Sequence, residues 1–201
     1  MQHTYDTLPG KPISLWLDTT PQTNFPSLQD NIHVDVAIVG GGIVGLTAAT
    51  LLKEQGKTVA VLEAKRIVEG VSGNTTAKIT SLHTLIYAYL IQHFGKEKAQ
   101  IYANANETAI QQIANLVQDK QIDCEFRRTA AYTYAESDEE ADKIHDEVEA
   151  ALKLGLPASF TEETPLPFPV KAAVRFDNQA QFHPRQYLLA LARDIPGDGS
   201  H

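Results

Sequence analysis

The stretch from Val34 to Glu63 constrains the fold more than any other part of the chain. Val34, Val36, Ala37, Ile38 and Val39 form a short apolar run rich in β-branched residues, the pattern of a strand buried on both faces. Gly40, Gly42 and Gly45 follow in G-x-G-x-x-G spacing. The first glycine permits a tight turn, and the second lets the backbone approach a pyrophosphate. The third lets a helix pack closely on the strand. That helix is predicted from about Ile43 to Gln55, with Ile43 and Val44 leading its positive dipole end toward the phosphate. Gly56 ends it, and Thr58 to Leu62 is predicted as the second parallel strand. Glu63 closes that strand, where a carboxylate can accept both ribose hydroxyls of an adenosine. The same charge opposes a 2′-phosphate. The implied ligand is an adenine dinucleotide without that phosphate, FAD or NAD. The competing reading is a glycine-rich turn that binds nothing, and the ordered strand, helix, second strand and acid argue against it.

Composition narrows the remaining choices. The 201 residues suffice for one or two domains. Apolar residues at 43% and charged residues at 21% are ordinary for a soluble globular protein. A formal charge of −8 disfavours nucleic acid or an anionic membrane as partner. The single cysteine, Cys124, excludes an internal disulfide and fits a reducing compartment. The sequence shows no apolar run of membrane-spanning length and no basic region leading into an apolar one at its start. A cytoplasmic location is the expectation.

Residues 1–31 read as an extended arm that lays Trp16 and Phe25 on the body of the protein. For Trp16, packing is favoured over gating of a substrate. Downstream of Glu63, Gly70, Ser72, Gly73, Asn74, Thr75 and Thr76 form a small, polar, turn-prone loop. Beside the glycine motif, its amides and hydroxyls suit a pyrophosphate or the edge of a flavin; a plain surface turn is the alternative.

The segments VAIVGGGIVGLTAATLL, LEAKR and GVSGNTTAKITSLH together resemble the FAD-dependent oxidoreductases of the D-amino-acid oxidase and glycine oxidase superfamily. SGNTTAK and the leading SLWLDTTPQ are similar to one branch, which carries a Rieske iron–sulfur domain at its C-terminus. The resemblance runs from about Ser14 to His201. It implies that Glu63 holds the FAD ribose, that Arg66 lies beside the adenosine, and that Ser72 to Thr76 line pyrophosphate and flavin. The cofactor contacts implied are Gly40, Gly42, Ile43, Val44, Gly45, Glu63, Ala64, Arg66, Ser72, Gly73, Asn74, Thr75 and Thr76. The commoner family loop ends in a pair of small residues where this chain has Ala77-Lys78.

Leu85 to Phe94 and Lys96 to Lys120 read as helices. In the second, Ile101, Ala105, Ala109, Ile113 and Leu116 recur at helical spacing and are predicted as one buried stripe. Asn104, Asn106 and Glu107 fall off it and are expected to be solvated or to make cap contacts. Cys124 to Ala135 alternates like a strand, and the resemblance places it in an antiparallel substrate-domain sheet. Arg127 and Arg128 there could meet a substrate carboxylate, with pairing to a surface acid the favoured reading. Ser137 opens a helix with a capping box to Glu140. In that helix Ala141, Ile144, Val148 and Leu152 are expected to point inward, and the acidic run from Asp138 to Asp146 is a solvated face. Residues 161–170, with three prolines, read as an extended connection. A short strand is predicted at Ala172 to Phe176, and a helix led by Pro184 to about Arg193.

The expected fold class is α/β: a Rossmann-like, three-layer FAD/NAD(P)-binding fold with part of an antiparallel-sheet substrate domain, in a chain that reads as truncated. The expected divisions are an arm over 1–31, the first part of the FAD-binding domain over 32–120, a partial substrate domain over 121–180, and a return to the FAD-binding domain over 181–201. No Cys-x-His or Cys-x-x-His pair exists, so a Rieske [2Fe-2S] cluster is expected only with a further C-terminal domain. The seven histidines show no metal-ligand spacing. The leading function is FAD-dependent oxidation of a small amine or amino-acid-like substrate by hydride transfer to flavin, with the 201 residues alone expected to be inactive. The alternatives are an inactive dinucleotide-binding or assembly module and a portion of an NAD-dependent dehydrogenase. His83, Tyr132, Tyr134, Gln181 and His183 are conceivable pocket residues, each with a structural role as the favoured reading. The catalytic residues and the oligomeric state stay open.

Overall fold

A computed structural model describes residues 10–201; the first nine residues of the expected arm lie outside the described residues. The chain forms two compact units, one of residues up to Thr76 together with His183–His201, the other of Ala77–Phe182.

In the first unit, α1 (Leu15–Asp18) precedes β1 (Val36–Val39), α2 (Ile43–Glu54) and β2 (Val59–Leu62), and α6 (Pro184–Arg193) completes it. β1 and β2 pair in parallel with Val36 opposite Val59 and Val39 opposite Leu62. This is the strand–turn–helix–strand order expected from the glycines. β1 is not buried on both faces, however. Its residues alternate between half-buried and exposed, and Val39 is 89% exposed. The reason is that β2 is its one paired neighbour and α2 packs against it on the side of Ile38. Residues 200–201 extend the sheet along the other edge of β2. The His201 amide donates to the Val59 carbonyl (2.8 Å), and the Val61 amide donates to the His201 carbonyl (2.9 Å). Lys53, in the last turn of α2, donates to the Ile195 carbonyl (2.9 Å) and ties down the end of α6.

The second unit holds β3 (Lys78–Ile79), α3 (Tyr87–Phe94), α4 (Lys96–Asp119), β4 (Arg127–Ala135), α5 (Asp138–Lys153), β5 (Ala158–Thr161) and β6 (Ala172–Gln181). β6 is the spine of an antiparallel sheet: β4 runs along one edge, while β3 and β5 pair with its two ends. β6 is twice the expected length because it passes through an irregularity. The register shifts between Thr129 and Ala131, and Asn178 takes a left-handed conformation (φ 59°), as at a β-bulge. In β5, Ala158 and Phe160 alternate with Ser159 and Thr161, and pairing with β6 from Phe176 to Ala173 orders the strand.

Two further expectations, both about buried helix faces, are corrected here. The compact units meet at 76/77 and 182/183. α3 and α4 belong with the antiparallel sheet because Tyr87, Ala99 and Ala103 share a core with Ile144, Val148, Val174 and Phe176. The buried stripe of α4 is Ala99, Ala103, Ile110 and Leu116, whereas Ile101 is 64% exposed and Ala105 and Ala109 are exposed. Small alanines let α4 approach its neighbours closely, so burial follows Ala99 and Ala103 rather than the bulkier isoleucine. In α5 the inward face carries Ile144, Glu147, Val148 and Ala151, and Leu152 is exposed. The capping box is present: Ser137 Oγ accepts from the Glu140 amide (3.3 Å) and donates to Glu140 Oε2 (3.2 Å).

Glu147 is fully buried. Its Oε1 accepts from the Tyr87 amide and its Oε2 from the Ala88 amide, both at 2.8 Å, so it caps α3 from a distant helix. Burial raises its pKa, opposed by the Ala88, Tyr87 and Ile86 amides. Beside it, the Tyr87 ring stacks on Phe176 and its hydroxyl donates to the Ser81 carbonyl (2.7 Å). Cys124 is buried, and burial pushes its thiol up to about 11, which keeps it protonated and unreactive.

Candidate functional site

The glycine turn is built as its spacing requires. Gly40 adopts φ 109°, a conformation open to glycine and strained for other residues. A Cβ on Gly45 would collide with the Gly40 carbonyl oxygen, so the absence of a side chain there lets α2 pack onto β1. Gly42 is the N-cap of α2 and has no side chain to cap with. Ser72 does this instead, its Oγ accepting from the Ile43 amide (3.0 Å).

Glu63 stands just past the end of β2. Its Oε2 accepts from the Gly41 amide (2.9 Å) and its Oε1 from the Lys65 amide (3.0 Å). The Gly41 amide, then that of Lys65, holds the carboxyl below the usual glutamate range. A carboxylate offers about four acceptor positions. Two are used by these amides, and the other two remain for vicinal hydroxyls.

Gly41, Gly42, Glu63, Lys65, Arg66, Val68, Glu69, Gly70, Val71 and Ser72 line one cleft of about 390 Å³, within the range of small-molecule sites. The wall from 66 to 76 is fastened to the turn. The Val68 amide donates to the Gly41 carbonyl (3.0 Å), and a Cβ on Gly73 would collide with the Val68 carbonyl. Val68 is a buried β-branched residue at φ 57°, a conformation costing roughly 1–3 kcal/mol that persists only where the surroundings enforce it.

The expected contacts therefore separate. Gly42, Glu63, Arg66 and Ser72 line the cleft. Gly40 and Gly45 shape the turn, and Ile43 presents its amide to Ser72. Val44 is 80% exposed, and Ala64 and Thr76 are exposed. Gly73 is packed inward. Asn74 closes its own loop by donating to the Gly70 carbonyl (2.8 Å), and the Thr75 carbonyl accepts from the Trp16 indole (2.8 Å). Gly70, read from the sequence as part of the ligand-facing loop, lines the cleft as well; Gly41, Lys65, Glu69 and Val71 also line it and were not singled out, and for Gly41 the run of three glycines was the available signal.

The other candidates have structural partners. His83 Nδ1 lies 2.8 Å from the Tyr102 hydroxyl. Tyr132 lies under Arg175, and Tyr134 meets the Phe168 ring edge-on. Gln181 pairs in β6 with Lys78 and Arg127. Arg128 donates to the Asn178 carbonyl (2.7 Å) and to Gln111 (3.0 Å). His183 caps α6 by accepting from the Gln186 amide (3.2 Å). Among the described residues no group of acids, histidines or cysteines could hold a metal ion, and no helix is long and apolar enough to cross a membrane.

Residues 35–199 match the family of FAD-dependent oxidoreductases designated DAO. The chain belongs to this family. It is 42% identical over 188 residues to a putative Rieske 2Fe-2S iron–sulfur protein, YhfW, of Bacillus subtilis, covering 94% of this chain and 37% of that protein. It is 32% identical over 103 residues to gamma-glutamylputrescine oxidoreductase of Escherichia coli, covering 51% of this chain and 24% of the relative. Among solved structures, glycine oxidase from Geobacillus kaustophilus superposes with a TM-score of 0.66 at 19% identity, over 84% of this chain and 45% of that one. This last likeness shows the α/β fold of FAD-dependent oxidases. The chain spans less than half the length of each of these relatives. The cleft fits the adenosine end of the family's FAD, through an ionised acceptor with two positions to spare and a glycine-walled helix start. A Rieske cluster does not fit these residues, because it takes two cysteines and two histidines and the one cysteine here is buried and protonated.

Proposed function

We propose that this chain supplies the adenine-dinucleotide end of the FAD site in an oxidoreductase that oxidises an amine or amino-acid-like substrate. The carrying observation is the Glu63 carboxylate, held ionised by the Gly41 amide at the mouth of a cleft walled by the start of α2. Its two free acceptor positions suit the ribose hydroxyls. Gly42 and the first turn of α2 receive the pyrophosphate, where backbone amides and the helix dipole favour negative charge. Lys65 and Arg66 on the rim add positive charge for the same group, and Ser72 fixes the helix start through the Ile43 amide. Bound FAD would supply the hydride acceptor for the carbon next to the substrate's amine. The substrate class is supported by the names of two relatives, a gamma-glutamylputrescine oxidoreductase and a glycine oxidase. In a complete protein of the YhfW type, a Rieske [2Fe-2S] cluster would be held by residues outside these 201.

Glu63→Ala removes two charge-assisted acceptors, each worth about 1.5–3 kcal/mol before resolvation of the hydroxyls. FAD affinity is expected to fall roughly 30- to 100-fold, measured by equilibrium dialysis, with Glu63→Gln intermediate. A protein that takes up NAD and no FAD would overturn the cofactor assignment in favour of the dehydrogenase reading. Tight flavin that no amine or amino acid reduces would favour the dinucleotide-binding module.

A further inference from the structure

We propose that residues 14–21 are a strap that holds the cleft-facing 70–76 loop in its binding form, with Trp16 as the positioning residue. The inference rests on the FAD reading of the cleft and assigns a role to a segment outside it.

Trp16 is the one tryptophan of the chain, and its indole N–H donates to the carbonyl of Thr75 at 2.8 Å. Thr75 directly follows the 3-10 turn Val71–Asn74, whose Ser72 caps α2 and lines the cleft. The adjoining Leu17 side chain packs where a Cβ on Gly73 would stand. One short helix thus touches the loop at two points, one polar and one apolar.

The strap is itself held from α6. The His183 Nε2 lies 3.0 Å from Thr19 Oγ1, and its ring meets the Trp16 ring edge-on at 4.9 Å. His183 Nδ1 accepts from the Gln186 amide, which leaves Nε2 as the donor to Thr19. Arg185 is buried and donates to the Thr20 hydroxyl and to the Pro21 carbonyl (2.8 Å). Thr20 in turn donates to the Trp16 carbonyl (2.5 Å). A buried guanidinium is costly unless it fixes something. Here it fixes the segment that carries Trp16.

The loop needs such a clamp. It is flanked by Val68 and Ala77, both in left-handed conformations, and Asn74 closes it by donating to the Gly70 carbonyl. A strained loop on a binding surface stays in one form when independent contacts enforce it. Trp16 acts on the cofactor through Thr75 and does not touch it.

The test compares the chain with Trp16→Phe, which keeps an apolar ring and loses the donor, and with Thr19→Val, which removes the hydrogen bond to His183 and leaves the indole in place. Amide exchange of residues 70–76 is expected to quicken about fivefold to tenfold in Trp16→Phe, which loses the one bond to the loop, and less in Thr19→Val, whose lost bonds to Leu15 and His183 lie outside it. Exchange in β2 and in β6 should hold. FAD dissociation constants, from dialysis, should rise by a similar factor for Trp16→Phe. Unchanged exchange at 70–76 overturns the proposal. An equal rise across every amide of the first unit in both variants also overturns it, by assigning Trp16 to general packing. If the unaltered chain takes up no FAD, the reading of the cleft fails, while the exchange comparison still decides the strap.

Discussion

Gly45→Ala is expected to remove most FAD binding and to unfold the first unit well below the parent's denaturation midpoint. The added Cβ meets the Gly40 carbonyl oxygen, and its next neighbours are the Gly40 carbonyl carbon and Ile38. A backbone oxygen cannot rotate away, so α2 must lift from β1 or the turn must open. Overpacked cores cost about 1–3 kcal/mol and more where backbone must move, which places this variant at or above roughly 3 kcal/mol. A loss of that size corresponds to about 100-fold in affinity. Gly70→Ala is the matched comparison. Nothing lies within 4 Å of a Cβ on Gly70, so the denaturation midpoint of this variant should fall far less than that of Gly45→Ala. Trp16 fluorescence in a urea titration reads the first unit selectively. A Gly45→Ala midpoint equal to the parent's would refute the close-packing argument.

The second large effect is expected at Glu147. Alanine there strands the amides of Tyr87 and Ala88 at the start of α3, in a fully buried site. Each unsatisfied donor costs about 1–3 kcal/mol, so a loss of roughly 3–5 kcal/mol follows, read as a lowered thermal midpoint of helical circular dichroism. Glutamine keeps the shape but turns a donor toward one of the two amides, so it should fall between. The pH dependence has a definite sign. Because burial raises the Glu147 pKa, its contribution is fully present below the ordinary glutamate value and is lost as pH rises through the raised one. Glu147→Gln should abolish that component of the stability profile. A parent whose stability in the second unit climbs through this window, with the climb missing in the variant, would show that the amides outweigh burial.

What the sequence made legible was local. Gly40, Gly42 and Gly45, the acid at Glu63, the Ser137 box and the proline-led α6 are each governed by contacts within a few residues or within one βαβ unit. That is why the parallel pairing of β1 with β2 and the α/β class could be read from spacing. The helix α4 was legible as a helix but not as to its buried side. Periodicity marks an apolar face, whereas Ala99 and Ala103 are chosen by how closely α3 approaches. Glu147 was hidden among the acids of a surface run, since nothing near it in sequence announces that its partners begin another helix. The cleft-lining roles of Gly41, Lys65 and Glu69 likewise depend on how residues 66–76 fold back over the glycine turn. The compact units have a related origin: the helices of 87–119 carry no mark in their sequence of which sheet they cover.

The first unit is assembled from two stretches separated by residues 77–182. Were that insert a flexible loop of about a hundred residues, holding its ends together would cost roughly 4 kcal/mol of chain entropy. Its ends are instead stapled by its own ladder: Lys78 pairs with Gln181, Ile79 with Ala180, and the Phe182 amide donates to the Ala77 carbonyl. Once the insert has folded, Thr76 and His183 emerge side by side, and α6 is presented to the glycine-bearing half as though joined to it by a short turn. The two-residue strand β3 thereby shortens, in effect, the chain that the nucleotide-type fold has to close.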